Sequence, residues 1–165
     1  MKIKKLRLYL ETSAISYLDQ PERGDLSTDS HRLWGKLKAG EFEAFISPVV
    51  IMEIDRCSEP KLSYLREQIR LVKFTLLEET DEVVALASRY LDAKVLKKKN
   101  IDDCLHIAYA CVYNCDIIVS WNFMHIVNYR TISGVKSVNA LAGYKEMMIY
   151  TPTFLVEGGA EEDDT

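Results

Sequence analysis

Five short apolar runs, spaced by longer segments of helical periodicity, set the outline of this chain. Residues 6–10 (L-R-L-Y-L) carry Arg7 as their single charge and read as a strand buried on both faces, as in a parallel sheet. Residues 42–46 (F-E-A-F-I) repeat the pattern, residues 71–77 hold a third strand or an extended link, residues 116–120 (D-I-I-V-S) form a strong buried strand, and residues 147–150 add an edge strand. Strands alternating with helices point to an α/β fold with a parallel sheet.

The intervening segments predict the helices. A helical turn follows Glu11-Thr12-Ser13 over residues 14–18, and Q-P-E-R-G-D-L-S at 20–27 reads as loop. Leu33, Trp34 and Leu37 give helical spacing over 28–38, closed by Ala39-Gly40. Ser47-Pro48 opens a helix, serine as cap and proline in the first turn. On it Val49, Val50, Glu53, Ile54 and Cys57 share a face, with Asp55, Arg56 and Glu59 opposite. Further helices are expected over 60–69, 80–96, 124–127 and 134–142. The segment 100–114 stands apart: after Asp102 and Asp103 it is apolar on nearly every side, with His106 its one strongly polar side chain through residue 112. A helix of that kind is buried between other elements.

At 165 residues, 48% hydrophobic and 28% charged, the chain fits one soluble domain over residues 1–156, with neither a disordered nor a membrane composition. No apolar run approaches the ~18 residues of a membrane span, and M-K-I-K-K-L-R-L-Y-L reads as a strand rather than a signal peptide, which places the protein in the cytoplasm and excludes a membrane partner. The net charge of −4 sits in the tail: Glu157, Glu161, Glu162, Asp163 and Asp164 are its acids, and the remainder holds 20 acids against 21 bases. The acidic balance therefore does not exclude a nucleic-acid partner. The tail, residues 157–165, has no apolar pattern and is expected to be disordered. Cys57, Cys104, Cys111 and Cys115 form no C-x-x-C pair; they read as small buried hydrophobes, the alternative being a zinc site with His106 in a spacing that matches no common metal pattern.

Chemistry enters through lone acids. Asp102 and Asp103 begin a buried helix, where acids either cap the helix and complement its dipole or border an opening in the core. Glu53 is the one acid on the inward face of its helix, and a buried carboxylate needs a base, a donor set or a metal ion. Glu11 ends the first strand and Asn122 lies just past the end of the fourth. Ligands of an open parallel sheet bind beyond the carboxyl ends of its strands. If these elements are neighbours, several hard oxygen donors meet there, suited to Mg²⁺ or Mn²⁺. Thr12, Ser13 and Ser120 offer hydroxyls at the same edge. Lys97, Lys98 and Lys99, just before Asp102, read either as a solvated helix end or as a cationic patch that steers a phosphate backbone. His31 falls on a surface helix, and His106 and His125 read as structural histidines close to Asp103 and Asn122. No G-x-G-x-x-G, no phosphate-cradling G-x-x-x-x-G-K-[ST] and no G-x-S-x-G is present.

Four stretches together resemble the PIN-domain nucleases, in particular the toxin-like, VapC-type branch of type II toxin–antitoxin systems: L-Y-L-E-T-S-A-I-S at 8–16, S-P-V-V-I-M-E-I at 47–54, D-D-C-L-H-I-A-Y-A at 102–110 and D-I-I-V-S-W-N-F-M-H-I-V-N at 116–128. The resemblance spans residues 8–154. It implies a three-layer α/β/α sandwich around a central, mostly parallel sheet, and a divalent-metal-dependent endoribonuclease with Mg²⁺ or Mn²⁺ as cofactor. By motif position the acids fall on Glu11, Glu53 and Asp103, with Asn122 at a fourth position where many relatives have Asp; Asp102 adjoins the third acid and either supports it or caps the helix. Relatives usually carry Asp at the position of Glu11. The resemblance also implies an RNA substrate, a small antitoxin protein as partner and a homodimer. The alternative is a catalytically impaired PIN-like module that binds RNA or a protein without cleaving. A third reading is a small-molecule hydrolase on a similar sheet.

Overall fold

A computed structural model describes residues 4–157. The acidic stretch expected to be disordered lies outside the described residues, apart from Glu157. Strands β1 (Arg7–Leu10), β2 (Glu43–Ile46), β3 (Phe74–Leu76), β4 (Ile117–Val119) and β5 (Met148–Tyr150) form one sheet in the order β3-β2-β1-β4-β5, and every pairing is parallel. The third apolar run is thus a strand. β1 is central: Leu8, Tyr9 and Leu10 are fully buried, paired to β2 on one side and β4 on the other. From β1 the chain builds outward through β2 to β3, then returns to lay β4 and β5 on the opposite flank. The order therefore reverses between β1 and β4.

Helices cover the sheet in the three-layer arrangement that the motifs imply. α1 (Thr12–Ser16), α2 (Asp25–Lys38), α3 (Pro48–Asp55), α4 (Lys61–Arg70), α5 (Asp81–Asp92), α6 (Ile101–Val112), α7 (Tyr129–Ala142) and α8 (Pro152–Val156) fall into packed groups: α5 lies against α6 and α7, while α2 lies against α8 and the 3₁₀ turn Tyr17–Asp19. α6 is the buried helix, with Cys104 and every residue from His106 to Cys111 inside. Cys104, Cys111 and Cys115 are buried free thiols, and burial pushes Cys104 and Cys115 up to about 12. No helix among the described residues is long and apolar enough to cross a membrane.

The structure corrects several helix boundaries. α2 begins at Asp25 inside the expected loop, because Gly24, with φ +50°, turns the chain into the helix. α5 stops at Asp92, short of residue 96: Lys94 takes a left-handed φ of 58°, and the amide of Val95 turns back to the Tyr90 carbonyl. Residues 124–127 are a turn instead of a helix, tied by the Asn122 side chain to the His125 amide and by Asn128 to the carbonyls of Phe123 and Met124. Asn128 also caps α7 through the Thr131 amide at 2.9 Å, so α7 starts at Tyr129, not Gly134. Gly134 sits inside α7 because a Cβ there would lie 2.9 Å from Val95 Cγ2.

Two predictions follow from these contacts. Gly134→Ala gains about 1 kcal/mol of helix propensity, but overpacking against a short β-branched side chain costs about 1–3 kcal/mol. The variant should unfold at lower urea than the parent, and adding Val95→Ala should remove the clash, so the two changes are non-additive. At the other end of the sheet, Asp116 accepts the Arg7 amide at 2.8 Å and the Lys145 ammonium at 2.9 Å. Although burial opposes it, these donors hold its carboxyl below the ordinary Asp range. A depressed folded-state pKa adds stability above the unfolded value and loses it as pH falls through the folded one. Melting temperatures measured from pH 6 down to about pH 2 should fall less steeply for Asp116→Asn than for the parent.

Candidate metal centre

The order reversal between β1 and β4 leaves a crevice at the carboxyl edge of the sheet. Glu11 leaves β1 there, its amide bonded to the Val119 carbonyl at 3.0 Å, and Ser120 and Asn122 leave β4 beside it. α3 and α6 bring Glu53 and Asp103 to the same edge, and all three carboxylates lie close enough for Glu11 and Glu53 to act on Asp103.

Each acid has its own surroundings. Glu11 is buried, and its Oε2 accepts from the Ser13 amide at 3.0 Å, the Ser13 hydroxyl and the Ser120 hydroxyl at 2.8 Å. It is also the N-cap of α1. Glu53 Oε1 accepts from Thr12 Oγ1 at 3.0 Å and from His106 Nε2. Asp103 Oδ1 accepts from Asn122 Nδ2 at 3.3 Å, and its Oδ2 lies 3.3 Å from His125 Nδ1. The N-cap of α6 is Asn100, without a side-chain bond, so Asp103 faces the loop after β4 instead of capping its helix. Asp102, half-buried in the same first turn, makes no side-chain hydrogen bond among the described residues. Asn122 Oδ1 accepts the His125 amide at 2.9 Å, so the oxygen that the sequence offers as a donor is engaged with the backbone.

His106 is the residue that sequence reasoning undervalued. It is fully buried, and its ring bridges Glu53 and Tyr9, whose hydroxyl lies 2.7 Å from His106 Nδ1 and 2.7 Å from Ser47 Oγ. Ser47 in turn caps α3 by accepting the Val49 amide. In neutral imidazole the protons align in one direction: Ser47 to Tyr9, Tyr9 to Nδ1, and Nε2 to Glu53. Burial works against charge on both partners, yet the contact holds Glu53 below the ordinary Glu value and His106 above the ordinary His value. The signal in the sequence was position: the only strongly polar side chain on an apolar helix, three residues after Asp103.

Asp103 carries the electrostatic signature. Burial pushes its carboxyl up to about 6, and Glu11 and Glu53 add to that shift while His106 and His125 oppose it. No Lys or Arg among the described residues pairs with any of the three acids. A concentration of oxygen donors with uncancelled negative charge is the chemistry a hard divalent cation requires, and the donor set fits one. In the orientations present, no three His, Cys, Asp or Glu side chains among the described residues form a closed ligand group. Beside the acids, Lys97, Lys99, Asn100, His125 and Arg130 line a cleft of about 160 Å³. Lys98 is exposed and does not line it.

The sequence matches the model of the PIN domain over residues 8–122, a span that runs from β1 through Asn122. No curated protein matches the chain. Among solved structures it is similar to VapBC2 from Rickettsia felis bound to a DNA fragment from their promoter, with a TM-score of 0.54 and 14% identity, covering 87% of this chain and 97% of that one. At that identity the likeness shows the fold. The chain belongs to the PIN domain family.

Proposed function

We propose that this protein is a divalent-metal-dependent endoribonuclease of the VapC-type branch, the toxin of a toxin–antitoxin pair acting in the cytoplasm. The observation that carries the reading is the gathering of Glu11, Glu53 and Asp103 at the switch point of a PIN fold, with Asp103 pushed up to about 6 by burial and its acidic neighbours. Glu11, Glu53 and Asp103 would hold Mg²⁺ or Mn²⁺. When bound, the ion supplies Lewis-acid stabilisation of charge on a phosphoryl oxygen.

The chain's own residues have distinct tasks. His106 and Thr12 both bond Glu53 Oε1 and so orient the carboxylate, leaving Oε2 without a hydrogen-bond partner among the described residues. Ser13 and Ser120 hold Glu11, and Ser120 also receives the Asn122 amide at 2.9 Å, which ties the loop after β4 to the first acid. Asn122 donates to Asp103 and so positions it without adding a fourth negative charge. Glu53 or Asp103 orients the attacking water. Asp102 supports Asp103 from the same helical turn. Lys97, Lys98 and Lys99 attract the phosphate backbone of the RNA. An antitoxin segment covering the crevice and a homodimer complete the reading; the likeness to a VapBC assembly supports the antitoxin partner.

One observation favours a second reading. Glu11 is turned onto Ser13 and Ser120, and Asn122 adds no carboxylate, so a module that binds RNA or a protein without cutting has a physical basis. Metal and cleavage measurements separate the two. With Mn²⁺ and end-labelled RNA, the parent should cleave and Asp103→Asn should lose at least about a hundredfold in rate, on the order of one lost transition-state contact. Calorimetry that finds no Mg²⁺ or Mn²⁺ binding at millimolar concentration supports the non-cleaving module. Tyr9→Phe keeps the ring but leaves His106 Nδ1 buried without its partner. It should cost about 1–3 kcal/mol in urea unfolding, and Glu53 should lose its fixed orientation, read as weaker Mn²⁺ binding in the folded variant.

A further inference from the structure

The loop after β4 has a recess on each side of it, and they differ in chemistry. On one side lies the basic cleft of Lys97, Lys99 and Arg130. On the other, Glu11, Tyr17, Arg23, Trp121, Phe123 and Met124 line a recess of about 360 Å³. That volume falls within the ~300–1,000 Å³ of ordinary ligand clefts. Met124 lines both, and the acid centre sits against the same loop through Asn122 and His125.

The second recess has an aromatic wall held in place. Trp121 is buried, its indole N–H donates to Ser30 Oγ at 2.7 Å, and its amide donates to Ser13 Oγ at 2.8 Å. Tyr17 stacks on it at 5.8 Å with planes 15° apart, and Phe123 leans on it at 6.2 Å. Against this fixed wall Phe123 is 49% exposed and Met124 79% exposed. Exposed apolar surface beside a polar centre marks a binding site. The guanidinium of Arg23 lies 5.6 Å over the Tyr17 ring, and among the described residues no carboxylate pairs with it. Aromatic faces with an adjacent free cation are the chemistry that stacks a base and holds its phosphate.

We infer that this recess is a nucleobase-stacking subsite: an unpaired base of a single-stranded RNA lies on Phe123 beside Tyr17 and Trp121, Arg23 meets the adjoining phosphate, and the strand crosses the acid centre toward Lys97, Lys99 and Arg130. The inference rests on the nuclease reading for its substrate and adds to it the requirement for an unstacked base. A base within a duplex is stacked on both faces, and extruding it costs a few kcal/mol, so paired RNA gains nothing from the recess.

Binding without cleavage tests it. Anisotropy of labelled single-stranded RNA of mixed sequence, and of the same sequence as a duplex, is measured in EDTA with the parent, Phe123→Ala and Phe123→Tyr. Phe123→Ala should weaken single-strand binding by roughly tenfold, leave duplex binding unchanged and keep the parent's melting temperature. Phe123→Tyr should restore the affinity. Equal single-strand affinity in the parent and Phe123→Ala overturns the subsite, and so does an equal loss on the duplex. If the parent cleaves RNA with Mn²⁺ while Phe123→Ala binds normally, the subsite fails and the nuclease reading stands. If the parent binds neither form of RNA, the subsite fails, and cleavage with Mn²⁺ decides the nuclease reading separately.

Discussion

The parallel pairing of β1 with β4 is the constraint from which the rest of the candidate centre follows. β1 is buried on both faces and bonded on both edges, so its direction and register are fixed by the core. β4 pairs with Leu8, Tyr9 and Leu10 in one register, which brings Val119 opposite Leu10 and places Ser120 beside Glu11. A slip of one residue would turn Ser120 and Tyr9 to the wrong faces. The switch in strand order occurs at this pair, so the chain leaves both strands at the same edge in opposite lateral directions and opens the crevice between them.

Burial of charge is managed at this edge by weak partners instead of strong ones. A buried carboxylate without compensation costs several kcal/mol, yet no guanidinium or ammonium answers Glu11, Glu53 or Asp103 among the described residues. Hydroxyls and a backbone amide answer Glu11, an imidazole and a hydroxyl answer Glu53, and an amide and an imidazole face Asp103. Such donors orient a carboxylate without neutralising it. An arginine at any of these positions would leave less field for a cation. The line from Ser47 through Tyr9 and His106 shows how far the orientation reaches: it joins the cap of α3 to Glu53 on the same helix by way of the central strand and α6.

The strands and the buried helix were legible because burial on both faces leaves continuous apolar runs, and those survive any tertiary context. The acids were legible for a related reason: a lone charge in an apolar pattern stands out, as Glu53 and Asp103 did. What was not legible was decided by side-chain-to-backbone bonds. Asn128 starts α7 inside a stretch that reads as loop, and Asn122 ties residues 124–127 into a turn that has helical composition. Gly134 looks like a helix boundary in sequence, yet its role is contact with Val95 from another helix end. His106 escaped for a different reason: its partners are the side chains of Tyr9 and Glu53, 97 and 53 residues away.

Glu at position 11 shows how one residue serves fold and centre together. Its backbone amide closes the β1–β4 ladder, its carboxylate caps α1 through the Ser13 amide, and the same oxygen gathers the hydroxyls of Ser13 and Ser120. Ser13 Oγ also receives the amide of Trp121, so the aromatic wall, the first acid and the end of β4 are bound into one unit. The longer side chain of Glu can curl back onto its own helix in this way while its other oxygen, Oε1, has no hydrogen-bond partner among the described residues. That division of labour between the two oxygens explains how a buried acid can be satisfied structurally and still face the crevice with charge to offer.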